Sequence, residues 1–96
     1  MARCSPDLLK DLEELFPIIA AWPGIRSKGV GTFYLGSKPF FHFHYKNGRR
    51  WIDIKSADTW IELDIAVPAV KSSKAQFLKQ VRSCYDNEKV TDVNLG

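Results

Sequence analysis

Phe40-Phe41-His42-Phe43-His44-Tyr45-Lys46-Asn47-Gly48-Arg49-Arg50-Trp51-Ile52-Asp53-Ile54-Lys55 carries the strongest short-range signal in the chain. Asn47-Gly48 stands between two alternating segments, and both residues accept the positive φ that a two-residue type I′ hairpin turn demands. A turn there sets Phe43 opposite Ile52, His42 opposite Asp53 and His44 opposite Trp51. Successive strand side chains point to opposite faces. Phe41, Phe43, Tyr45, Ile52 and Ile54 therefore share an apolar face, with Arg50 at its rim, while Phe40, His42, His44, Trp51, Asp53 and Lys55 share the other.

Working outward, Thr32-Phe33-Tyr34-Leu35 reads as a short strand, Gly36-Ser37-Lys38 as a turn and Ser56-Ala57-Asp58-Thr59 as a loop. Trp60-Ile61-Glu62-Leu63-Asp64-Ile65 alternates again. A one-residue slip would send Ile61, Leu63 and Ile65 into water, so the register must place them on the apolar face. A four-residue loop achieves this and pairs Lys55 with Trp60, Asp53 with Glu62 and Trp51 with Asp64.

Ser5-Pro6-Asp7 has the form of a helix start, and Leu8, Leu12, Leu15 and Ile19 keep helical spacing. The spacing predicts a first helix over residues 5–21, kinked at Pro17. Trp22-Pro23-Gly24-Ile25 suits a type II turn. Pro68 ends the last strand, and Ser73-Lys74-Ala75-Gln76 resembles a capping box opening a second helix with Phe77, Leu78, Val81, Cys84 and Tyr85 on its stripe. Residues 86–96 are polar with spaced valines, an extended tail over the surface or a short added strand. The expectation is an α+β two-layer sandwich: a four-stranded antiparallel meander in the order α-β-β-β-β-α, with N- and C-terminal helices on one face.

The 96 residues suffice for one domain, 1–96, with its own core. Hydrophobic content of 45% and charged content of 26% are ordinary globular values. The longest apolar run, residues 15–22, contains Pro17 and is too short to span a bilayer, which points to a cytoplasmic protein without a membrane partner. Cys4 and Cys84 form no CxxC pair and read as free thiols, a bridge between them being the alternative. The formal charge is +3, and Arg26, Lys28, Lys38, Lys46, Arg49, Arg50 and Lys55 concentrate in the middle of the chain beside the single acid Asp53.

On the second face, cross-strand neighbours would bring His42, Asp53 and Glu62 into one row and His44, Trp51 and Asp64 into the next, with Tyr34 extending the surface. Two histidines at i and i+2 beside carboxylates are ligand types suited to zinc, iron or copper, so a divalent metal on His42, His44, Asp53 and Glu62 is one candidate. An imidazole oriented by a carboxylate also serves general base catalysis, which gives the enzyme alternative on the same four residues. The aromatics Tyr34, Phe40, Trp51 and Trp60 would form an apolar patch of the kind that marks an interaction surface. A homodimer stacking on this face, or a small-molecule ligand, would cover it. Nucleic acid is disfavoured, because Asp53, Glu62 and Asp64 on the same face repel phosphates.

Trp22-Pro23-Gly24-Ile25, then Phe33-Tyr34-Leu35-Gly36-Ser37-Lys38-Pro39-Phe40, Phe41-His42-Phe43-His44 and the later Trp60 resemble a pattern in small uncharacterised bacterial α+β proteins, of the MmcQ/YjbR-like and "luciferase-like" domain families. There a Pro-Gly turn after the first helix precedes a strand, a Gly-Lys turn and a meander ending in a helix. The resemblance covers about residues 15–85 and implies the same fold. It brings no agreed activity and no catalytic residues. The reading as a whole is a small binding or interaction domain that uses Tyr34, Phe40, His42, His44, Trp51, Asp53, Trp60, Glu62 and Asp64 as its ligand or interface surface.

Overall fold

The structure is a computed structural model that describes the backbone of residues 5–95 and the side chains of residues 5–89. Two 3₁₀ turns, Pro6–Leu9 and Glu13–Leu15, lead into the short helix α1 (Phe16–Ala20). Five strands follow: β1 (Ile25–Ser27), β2 (Thr32–Leu35), β3 (Lys38–Lys46), β4 (Arg49–Ser56) and β5 (Thr59–Asp64). They form one antiparallel meander in chain order. Helix α2 (Lys71–Leu95) closes the fold. No helix among the described residues is long and apolar enough to cross a membrane.

The architecture is α+β with an antiparallel sheet, but it holds five strands where four are expected. The additional strand, β1, is the stretch after the Pro23-Gly24 turn, in which the Ile25 amide donates to the Trp22 carbonyl and Gly24 adopts φ +84°. Three residues are too few for an alternation to show in the sequence.

The helical layer also departs from expectation. In a continuous α-helix the Leu8 carbonyl would accept from the Leu12 amide. Here Arg50 Nη1 donates to that carbonyl at 2.8 Å, and the Leu12 amide turns to Leu9 instead. The expected 5–21 helix is thereby reduced to 3₁₀ turns, and only the stretch from Phe16 onward is α-helical. Helix α2, in contrast, begins at Lys71 rather than Ser73 and runs through the expected tail to Leu95. Ser73 lies inside the first turn rather than opening the helix, and its hydroxyl accepts from the amide of Val70, the residue before α2. The apolar stripe of Phe77, Val81, Cys84 and Tyr85 continues at helical spacing with Glu88, which is buried and accepts the Asp58 amide of the β4–β5 turn. A carboxylate that satisfies a turn donor thus extends a face that reads as apolar only as far as Tyr85.

The core between sheet and helices holds Leu9, Leu12, Ile19, Phe33, Phe41, Phe43, Ile52, Ile54, Phe77, Val81 and Tyr85 among others, all buried. Leu12, Leu15, Phe77 and Val81 occupy it as expected, whereas Leu8 gives its place to Leu9. Cys84 is a buried free thiol, and burial pushes its pKa up. Cys4, the other end of the alternative bridge, lies outside the described residues.

Candidate functional site on the open sheet face

The central hairpin has the register its Asn47-Gly48 turn demands. Asn47 and Gly48 take φ +52° and +80°, and His42 pairs with Asp53, Phe43 with Ile52, and His44 with Trp51. Between β4 and β5 the pairs Trp51–Asp64, Asp53–Glu62 and Lys55–Trp60 form. The connection is tighter than a four-residue loop: Ser56 pairs with Thr59, and Ala57-Asp58 make a two-residue turn at φ +51° and +64°. The parity of the register is unchanged, so the same side chains reach the open face.

Asp53 is the centre of that face. Its Oδ2 lies 2.8 Å from His44 Nε2 and 3.8 Å from His42 Nε2. The two imidazoles meet edge to face with centroids 4.5 Å apart. His44 also stacks on Trp51 at 5.1 Å and 22°, and the Arg49 guanidinium lies over the same indole at 4.4 Å. On the other side His42 stands 6.1 Å from Trp60, whose ring carries the Lys55 ammonium at 5.6 Å. Two indole–cation pairs therefore flank a His–Asp–His centre. The three central side chains are half-buried, at 39% exposure for His42, 18% for His44 and 33% for Asp53. Burial, reinforced by the nearby His44, pulls the His42 pKa below 6.5, against the opposing pull of Asp53.

Glu62 pairs with Asp53 in the backbone ladder, but its carboxylate turns away. Arg49 donates to Glu62 at 2.9 Å and to Asp64 at 2.8 Å, drawing both acids toward the hairpin end. The repulsion expected among Asp53, Glu62 and Asp64 is relieved in this way, and Arg49 is held above its ordinary pKa by the two carboxylates.

Phe40 is a correction. Expected on the open face, it is buried at 1% exposure against Phe41 and Tyr85, with centroids at 5.5 and 6.3 Å. The cause is a bulge: Phe33 pairs with Phe41 but Tyr34 pairs with Pro39, leaving Phe40 as the extra residue of β3. The visible signal was Pro39, because proline inside a strand pattern marks an edge or a bulge. Tyr34 does not join the His42 row, because Thr32 is the residue opposite His42 in β2. Tyr34 lies farther along and carries Lys28 over its ring at 5.5 Å. The row across the sheet is thus Thr32, His42, Asp53, Glu62.

Arg50, expected at the rim of the apolar face, is instead buried at 2% exposure and bonded to Asp11. A separate groove of about 370 Å³ opens between α1 and the β1–β2 connection, lined by Phe16, Pro17, Ala20, Val30 and Phe33 with Glu13 at its edge. Its lining is mostly apolar, with Glu13 and Ser27 as its polar side chains.

No protein-family model, no curated protein and no solved structure matches this chain.

Proposed function

We propose that the open sheet face is a small-ligand binding surface, centred on His42, His44 and Asp53 and walled by the Trp51–Arg49 and Trp60–Lys55 pairs. The observation that carries this reading is the convergence of one donor atom from each of the three central residues to within 4.8 Å of one another. A solvated sheet face has no need to half-bury two imidazoles and a carboxylate between indoles, because desolvating such groups is costly unless something compensates. Trp60, 46% exposed, offers flat apolar area for a planar ligand, and the central donors fix its orientation. Binding is favoured over acid–base turnover because no serine or cysteine stands in the Thr32–His42–Asp53–Glu62 row, and Ser56 and Cys84 belong to the α2-covered side. Arg49, committed to Glu62 and Asp64, is a poor phosphate partner, which argues against nucleic acid.

The test is amide shift mapping with a panel of small aromatic acids and heterocycles. Perturbations are expected at Thr32, His42, His44 and Asp53, and Trp60→Ala is expected to weaken binding by about tenfold, the value of losing one aromatic contact of roughly 1–1.5 kcal/mol. Shifts confined to the Phe16–Val30 groove, or none, would remove the reading.

A second reading, self-association as a homodimer, is favoured by one observation. Strand β5 is a sheet edge, and it exposes Trp60 at 46% and Ile61 at 38%. An edge of unpaired amides and carbonyls with apolar side chains on it is a template for another strand. Light scattering at high micromolar concentration decides it: a strict monomer excludes the dimer, while a dimer abolished by Ile61→Lys supports it.

A further inference from the structure

We propose that His42, His44 and Asp53 form a mononuclear site for a divalent first-row transition metal ion. The inference rests on the reading of the open face as a binding surface and names its ligand class.

The donor set has the right chemistry. Two imidazole nitrogens and one carboxylate oxygen suit zinc and its neighbours, whereas calcium and magnesium demand oxygen ligands. The geometry is close to what an ion requires. A tetrahedral centre with bonds of about 2.0–2.1 Å holds its donors about 3.3 Å apart. Asp53 Oδ2 lies 2.8 Å from His44 Nε2 and 3.8 Å from His42 Nε2, distances that bracket this value, and the whole set lies within 4.8 Å.

The backbone supports the arrangement. His42 and His44 are i, i+2 on β3 and point to one face, and Asp53 is the direct partner of His42 on β4. All three therefore stand on paired central strands rather than on loops, which is how a site acquires precision. Trp51, stacked on His44 and covered by Arg49, limits the freedom of that imidazole before any ion arrives. Because Arg49 holds Glu62, the protein supplies three ligands and leaves a fourth position toward solvent, where His42 is 39% exposed. Three protein ligands with one open position is the pattern of zinc sites that accept a further molecule.

The experiment titrates zinc chloride into chelator-stripped full-length chain by calorimetry and records the visible spectrum with cobalt(II). One ion per chain is expected, with cobalt ligand-field bands and no thiolate charge-transfer band. His42→Ala and Asp53→Asn should each weaken zinc by at least about tenfold, and Glu62→Gln should change it by less than about twofold. His44→Ala is a supporting variant only, because its stacking on Trp51 risks the fold; His42→Ala and Asp53→Asn decide. Substoichiometric uptake, uptake that His42→Ala leaves unchanged, or a thiolate band would overturn the proposal. If zinc fails while aromatic probes still shift Thr32 and His42, the metal inference falls and the binding surface stands. If neither binds, both fall.

Discussion

Arg50 grips Asp11 from inside the molecule, with its two terminal nitrogens on the two carboxylate oxygens at 2.7 and 2.9 Å. The same guanidinium donates to the carbonyls of Leu8 and Ala66, and Asp11 Oδ2 also accepts the Ala69 amide at 2.6 Å. One ion pair thus joins the N-terminal turns, β4 and the connection into α2. A buried pair of this kind adds little net stability over a well-packed apolar substitute, but removing one partner strands a buried charge. Asp11→Ala is expected to cost about 3–5 kcal/mol, and Arg50→Met in the same chain should restore much of that loss. Urea unfolding of the two variants checks both statements.

The same contact sets an acid limit. The Arg50 guanidinium holds the Asp11 carboxyl below its ordinary 3.8, at about 2, against the opposing effect of burial. A carboxylate depressed in the folded state contributes stability that is complete above the unfolded value and disappears as the pH falls through the folded one. Stability should therefore decline between about pH 4 and pH 2, and the double variant Asp11→Ala with Arg50→Met should show a shallower decline there. Denaturation midpoints measured across that window provide the check.

Phe40 and Trp60 should respond in opposite ways to truncation. Phe40 is buried at 1% exposure, so Phe40→Ala is expected to cost about 3–5 kcal/mol, the sum of lost transfer energy and cavity. Trp60 is 46% exposed, and Trp60→Ala should leave stability within about 1 kcal/mol. Near-equal losses in chemical denaturation would contradict the bulge that turns Phe40 inward.

Ala57 offers a gain. It sits at φ +51° in a two-residue turn, a conformation that costs a residue with a β-carbon roughly 1–2 kcal/mol and that asparagine tolerates. Ala57→Asn is expected to stabilise the protein by about 0.5–1 kcal/mol, read as an upward shift in the urea midpoint with unchanged slope.

The local chemistry of Asn47-Gly48 and the period-two pattern on either side were enough to set the hairpin register, and with it the meeting of His42, His44 and Asp53. The burial of Ile52 and Ile54 follows from the same parity. These are consequences of residues close together in the chain, where turn geometry and pleat leave one arrangement that buries the aliphatics.

What eluded the sequence depends on partners far apart. Arg50 is 39 positions from Asp11, and the diversion of the Leu8 carbonyl that dissolves the first helix comes with that pairing. Phe40 turns inward beneath Tyr85 of α2, and Glu62 leaves Asp53 for Arg49, an exchange settled by which side chain reaches which across two strands. Short-range propensity places a residue on a face; whether that face is capped, bulged or ion-paired is set by what distant segments bring to it once the core has closed.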